Sequence, residues 1–483
     1  MEKIMDSKKW RNLAIAVIIF ALGWVMPGMG AVTKDGMFAL GSMISLIFAM
    51  ASGVEAWYVL LLIITFSIKN KLNITQNVFP EAFGSYIMWF IILSFWYMAG
   101  VAKTGFLDFI TKKLLGLRIS RKGPYWLMSL LFVSAFVATA LTQSVLAVLF
   151  IMMAVLRGIQ KSLDLKVNDK WLVCAGVGIG ACILIGSVYM PFNFSFFMYG
   201  GIMAQTFGWV RNVNAGAYLI HQTVGGVIAI VLMVVVTKYI VRPKLDFASL
   251  SGLELTSGEN QKFDKSMGVV IITILILVVA VGITSFLTVG SGLFDFFSRF
   301  GITAGFALSC VLLMFIKNSK GERCLDFGKV LSENTHWSML FYIGAIVYVG
   351  NFISAGESGI MAQFASWFTP LRNLSPIILI GILGILANLL TNATNNMVVA
   401  MLLCPIAYSV LGMESSLAQA ATVAIIVGSL SGNALPGSST VGIVQHTYKD
   451  LYTSGKFIAY GYLFAILICI GQLIGLLLAQ GIY

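Results

Sequence analysis

Apolar residues in this chain recur in long, nearly uncharged runs separated by short polar turns. The runs fall at about 12–29, 37–52, 55–68, 84–101, 171–206, 217–237, 267–289, 300–316, 338–353, 417–446 and 457–480. Many reach the length that crosses a ~30 Å hydrocarbon core at 1.5 Å per helical residue. The pattern predicts an all-α polytopic membrane protein of about 11 transmembrane helices. The stretch "KTGFLDFITKKLLGL" after the fourth run has one apolar and one basic face, and reads as an interfacial helix. The one long polar stretch, 238–266, reads as a cytoplasmic linker between two halves.

Two further apolar segments, 125–156 and 374–412, are each interrupted by a polar knot. One knot is "ALTQSVLAVLF" (Ala140–Phe150) and the other "LLTNATNNMVVAM" (Leu389–Met401). The arms Tyr125–Ala140 and Val145–Leu156 would reach roughly 24 and 18 Å, and Pro376–Leu390 and Met397–Leu411 about 22 Å each. All fall short of a bilayer core, so the lengths predict two re-entrant hairpins. Two long runs carry knots of their own, "GSVYMPFNFS" (Gly186–Ser195) and "GSLSGNALPGSS" (Gly428–Ser439), which predict helices unwound midway. Unwound backbone at membrane depth is tolerated only where protein buries it or a cavity receives it.

The knots repeat. Thr142 with Thr391, Pro191 with Pro436, and "GVAKTG" (Gly100–Gly105) with "NFISAG" (Asn351–Gly356) stand at nearly one offset. An odd number of single crossings separates the members of each pair, so the copies face opposite ways. Inverted repeats with paired interrupted helices are the pattern of secondary transporters. The repeat divides the chain into 1–122 (scaffold, first half), 123–237 (transport domain, first half), the 238–266 linker, 267–373 (scaffold, second half) and 374–483 (transport domain, second half).

Composition agrees. Of 483 residues, 59% are hydrophobic and 10% charged, with 48 Gly that suit close helix packing in lipid. With the N-terminus cytoplasmic, most of the 31 Lys and Arg fall inside, leaving Lys34, Lys69, Lys71, Arg211, Arg299 and Arg372 outside. That orientation puts the C-terminus outside in the cytoplasmic membrane. It also accounts for the net charge of +12 without nucleic acid. The basic start before residue 12 precedes a retained first helix, since no small-residue cleavage site follows. The six Cys form no C-x-x-C pair and the three His no metal-ligand spacing, so neither disulfides nor a metal cofactor are expected.

Residues 125–156, 172–210, 374–413 and 415–448 contain no Asp, Glu, Lys or Arg. A site there must work with hydroxyls, amides, backbone groups and helix ends. Helix N-termini hold anions, while hairpin-tip carbonyls and helix C-termini hold Na⁺. No H-E-x-x-H, G-x-S-x-G or paired intramembrane carboxylate points to an enzyme.

At these residues the chain resembles the divalent-anion/sodium symporter family of the ion-transporter superfamily, whose two hairpin tips carry Ser-Asn-Thr. Thr142-Gln143-Ser144 stands at the first tip and Thr391-Asn392-Ala393-Thr394 at the second. The family's Pro-containing breaks correspond to Met190-Pro191-Phe192-Asn193 and to Leu435-Pro436-Gly437-Ser438. The resemblance implies a homodimeric, elevator-type carrier of di- or tricarboxylates or sulfate-like anions, usually Na⁺-coupled. It implies substrate contacts from Thr142, Gln143, Ser144, Pro191, Asn193, Thr391, Asn392, Thr394, Pro436 and Ser438. Na⁺ would lie against Thr142, Gln143 and Gly186, and against Asn392, Gly428 and Asn433. Gln143 departs from the short amide of the motif, and Ala393 lacks its hydroxyl. An anion exchanger, another permease of the superfamily and a channel are the alternatives.

Overall fold

The computed structural model of the protein describes residues 7–115, 122–208, 214–243, 263–283, 287, 290–333, 335–354, 356–392, 396–412, 415–435 and 438–479. The described residues are mostly helical, and their β pairing is limited to two isolated bridges, Met29–Val32 and Lys317–Arg323.

The first half runs α1 (Ser7–Val25), α2 (Lys34–Ala51), α3 (Trp57–Lys69), α4 (Phe79–Phe83), α5 (Tyr86–Lys103) and α6 (Phe106–Leu115). It continues with α7 (Pro124–Thr142), α8 (Val145–Ser162), α9 (Lys170–Ser187), α10 (Phe194–Phe207) and α11 (Ala215–Val236). The second half opens with α12 (Lys265–Gly282), α13 (Gly292–Phe315) and α14 (Phe327–Glu333). Then come α15 (Trp337–Ser354), α16 (Ile360–Phe368), α17 (Pro376–Thr391), α18 (Asn396–Leu411), α19 (Ser416–Leu430), α20 (Thr440–Gln445) and α21 (Ser454–Ala479). The order α5 to α11 thus recurs as α15 to α21: a long helix, a short amphipathic one, a helix pair, a broken helix and a closing helix. Of the 238–266 linker, residues 244–262 lie outside the described residues.

Local chemistry sets the helix ends. Pro124 and Pro376 open the first arm of each helix pair, where a missing N–H costs nothing. Asp169, Asn214, Asp264 and Ser415 cap α9, α11, α12 and α19 with side-chain oxygens on free backbone N–H groups. α13 is interrupted at Gly301, whose φ of 54° and ψ of 178° lie outside helical space.

Six described helices are long and apolar enough to cross a membrane, or up to eight if each of two bent pairs is one span; α5, α12 and α17 to α19 contribute shorter apolar helices. Large apolar side chains are exposed on outer faces, among them Val227 and Val231 of α11, Leu275 of α12 and Leu477 of α21. Hydrocarbon rather than water must meet them, and the chain is an all-helical, multi-pass membrane protein.

The arms of the first helix pair depart from the sequence expectation. α7 has 19 residues and α8 has 18, about 28 and 27 Å at 1.5 Å per residue. By length alone each could span. Leu141 and Thr142 remain helical, with Thr142 Oγ1 donating back to Ala138 O at 2.7 Å. At the other end α8 runs past Leu156 through the polar turn Arg157–Ser162. The arms of the second pair, α17 and α18, have 16 residues each. Arm length therefore does not distinguish a re-entrant hairpin from two crossings in the first pair.

Glycines bring the central helices together. α9 is buried along nearly its whole length, and a Cβ on Gly178 would stand 2.0 Å from the Phe132 ring of α7. In α21, "GQLIG" places Gly471 and Gly475 against α11, where a Cβ would come within 2.6 Å of Gly225 O and 2.4 Å of His221 O. Such small-residue seams let helices associate in lipid through van der Waals contact, where the solvent gives no hydrophobic drive.

Candidate functional site

The two helix pairs end at the residues the knots marked. The first tip is Thr142-Gln143-Ser144, between α7 and α8. Gln143 turns the chain with φ 56° and ψ 8°, a left-handed conformation that a non-glycine residue rarely adopts. The second tip begins at Thr391-Asn392; Ala393, Thr394 and Asn395 lie outside the described residues, so the position expected for Thr394 is not described.

The second tip is hooked to the break that follows α19. Asn392 Oδ1 accepts the Ala434 N–H at 2.8 Å, and its Nδ2 donates to Asn388 O at 2.7 Å. Thr391 Oγ1 donates to Ser429 O at 2.6 Å. The Asn396 amide, oriented to satisfy both its ends, donates to Thr391 Oγ1 at 2.6 Å, Ser438 O at 2.8 Å and Ser429 O at 3.2 Å. Thr391, Asn392, Asn396 and Ser438 are thereby gathered around one stretch of unwound chain. Pro436 of that stretch lies outside the described residues.

The break after α9 spans 188–193. Pro191 and Asn193 are buried in it, and Asn193 Nδ2 donates to Gly186 O at 2.9 Å. Here the last turn of α9 packs on α7. A Cβ on Gly186 would stand 2.6 Å from Phe136 O and 3.1 Å from Thr139 Cβ of α7. Gly428 is its counterpart, 2.5 Å by the same construction from Gly384 O of α17. Both glycines expected beside Na⁺ thus sit in the last turn of a helix, where they let it close on the first arm of its helix pair.

α9 joins the two halves. Asn433 Nδ2 donates to Val177 O at 3.2 Å, and Gln445 Nε2 of α20 donates to Gly176 O at 2.6 Å. The two breaks also share a feature. Asn193 and Asn433 are fully buried, each amide nitrogen holds a backbone carbonyl, and each Oδ1 has no partner among the described residues.

The helix ends supply the electrostatics. α7, α9, α17 and α19 run into the tips and breaks with their C-termini, and α8, α10, α18 and α20 leave with their N-termini. Negative and positive half-charges therefore alternate around a region without formal charge. Ser439 fixes the start of α20, its Oγ accepting Gly442 N–H at 3.1 Å.

Asn396 and Gln445 were absent from the expected site. Asn396 stood inside the quoted polar knot, where its register relative to Thr391 gave no sign that it would reach Ser438. Gln445 is a single amide near a helix end, and such residues are most often interhelical glue.

No protein-family model matches the chain, and no curated protein does. Among solved structures it is similar to the YdaH transporter of Alcanivorax borkumensis, described as having an unusual topology. The identity is 11%, with 98% of each chain covered and a TM-score of 0.56. It is also similar to MtrF of Neisseria gonorrhoeae, described as illuminating a class of antimetabolite efflux pumps. There the identity is 13%, with 96% of this chain and 97% of that one covered and a TM-score of 0.56. At these identities the likeness is one of fold, and it runs from end to end. The divalent-anion/sodium symporter resemblance rests on the sequence motifs and the order of elements.

Proposed function

We propose that the protein is a secondary active transporter of a small anion, a di- or tricarboxylate or a sulfate-like ion, coupled to Na⁺. The observation that carries this reading is the hooked second tip. Asn392 and Thr391 clasp an unwound break in a charge-free region where helix N-termini leave and helix C-termini enter. The N-termini of α8, α10, α18 and α20 supply N–H groups and positive half-charges for an anion without Lys or Arg. The buried, unpaired Oδ1 atoms of Asn193 and Asn433, beside helix C-termini, suit Na⁺, one at each tip and break. The cations offset the anion's charge, which a site without basic residues otherwise leaves uncompensated.

In this reading the α7–α8 and α17–α18 pairs are re-entrant hairpins of an inverted repeat. With the broken helices they form a transport domain that moves as an elevator against a scaffold of the remaining helices in a homodimer, with the N-terminus cytoplasmic. The end-to-end likeness to two transporters supports carriage rather than catalysis or a pore. Gln143, a longer amide in a left-handed turn at the first tip, favours one second reading, an anion exchanger that dispenses with Na⁺ at that tip.

The test is uptake by purified protein in liposomes, against a panel of dicarboxylates, tricarboxylates and sulfate, with an inward Na⁺ gradient or with choline. Na⁺-dependent accumulation of one class supports the proposal. Exchange that needs internal anion and ignores Na⁺ selects the second reading.

A further inference from the structure

Between α17 and α19 on one side and α11 and α21 on the other lies a cavity of ≈ 20 Å³, lined by His221, Asn388, Gly428, Ser431 and Gln472 among others. It is large enough to admit a water-sized species. Asn388 is fully buried and Gln472 is 8% exposed. No atom of either amide has a hydrogen-bond partner among the described residues. Four unpaired amide atoms are costly in a low-dielectric interior, and leucine at either position would avoid the cost. His221 Nε2 meets Gln472 O at 3.0 Å, tying α11 to α21 where the glutamine enters the cavity.

The geometry points to a monovalent-cation site in this cavity, adjoining the second tip-and-break position through Gly428 and Ser431 and built by α11 and α21 as well as by α17 and α19. Its side-chain ligands are Asn388 Oδ1, Gln472 Oε1 and Ser431 Oγ, which donates its own proton to Val427 O at 2.5 Å and keeps its lone pairs. Asn388 stands in the last turn of α17 and Ser431 caps α19, so two helix C-termini turn their negative ends toward the space. Those ends disfavour an anion. None of the lining residues is an acid or a base other than His221 and Cys469, and a site without carboxylates does not suit a hard divalent ion. The cation would bear directly on the second tip, because Asn388 O also holds Asn392 Nδ2.

This inference rests on the Na⁺-coupled reading, and direct binding separates the two. Binding of ²²Na⁺ to the purified full-length protein is measured in a choline background for wild type, Asn388→Leu, Gln472→Met and Asn388→Asp. The two apolar substitutions should each weaken the affinity of one Na⁺ by roughly ten- to a hundredfold, as the loss of a contact to a charge does. Asn388→Asp, which adds a carboxylate to the same position, should tighten it. Stoichiometric Na⁺ binding with wild-type affinity in all three variants would leave a buried water in the cavity and overturn the site, while sparing the coupling. A wild type that binds no Na⁺ would remove both.

Discussion

The two tip-and-break regions share a frame and differ in how it is fastened. In each, a glycine in the last turn before the break, Gly186 or Gly428, closes on the first arm of the helix pair. In each, a buried asparagine, Asn193 or Asn433, keeps an unpaired Oδ1. At the second region side chains cross from tip to break, through Asn392 to Ala434 and Asn396 to Ser438. At the first, the hydrogen bonds of Thr142 and Ser144 stay within the tip and that of Asn193 within the break. The difference teaches that the second region carries a side-chain hook that the described hydrogen bonds of Thr142, Ser144 and Asn193 do not reproduce at the first.

The shared frame predicts the largest effects. Gly186→Val and Gly428→Val should be about equally damaging, each by about 1–3 kcal/mol or more, because the added atoms meet backbone carbonyls that cannot move aside. Thermal unfolding in detergent would show both as large drops in apparent melting temperature, and a mild effect at either glycine would break the symmetry.

The hook separates the regions. Asn392→Ala leaves the Ala434 N–H without an acceptor and should cost ~1–3 kcal/mol. Proteolysis would then fall preferentially at the second tip. Asn193→Ala removes one bond to a backbone carbonyl inside a packed break, and its cost should stay near ~1 kcal/mol. Equal losses would contradict the special role of the hook at the second region.

Gln143 sharpens the picture at the first tip. Its left-handed backbone should accept Gln143→Asn, whereas Gln143→Val should be destabilising, because a β-branched side chain crowds that conformation further. Melting of the two variants checks this, and equal values would mean that the turn relaxes.

The smallest effect is expected at the clasp between α8 and the loop after α20. Arg157 Nε and Nη2 donate to Asp450 at 2.6 and 2.8 Å, and Arg157 lies over the Tyr448 ring. Both partners are about half exposed, so Arg157→Ala should cost below ~1 kcal/mol. Arg157 holds the Asp450 carboxyl below the usual carboxylate range. Its contribution is therefore present above that range and is lost as pH falls through the lowered value. Melting of wild type and Arg157→Ala should converge in acid and separate slightly near neutrality.

Much of this was legible in the sequence. Thr142, Asn193, Thr391 and Asn392 stand out as polar residues in apolar runs, and hydrocarbon cannot satisfy such groups, so breaks were expected where they occur. The first arms were less legible, because Thr142 can bond its own helix and Arg157–Ser162 can continue one beyond the apolar run. Asn388 and Gln472 were not legible at all. A lone amide in a helix signals no direction, and only the packing of four helices shows that both face one cavity.

The most direct measurement compares wild type with Asn392→Ala in liposomes at matched, folded protein levels, with anion uptake driven by an inward Na⁺ gradient. Wild type should accumulate its anion in Na⁺ and not in choline, and Asn392→Ala should lose most of that Na⁺-driven uptake. Uptake at the wild-type rate by Asn392→Ala would contradict the account.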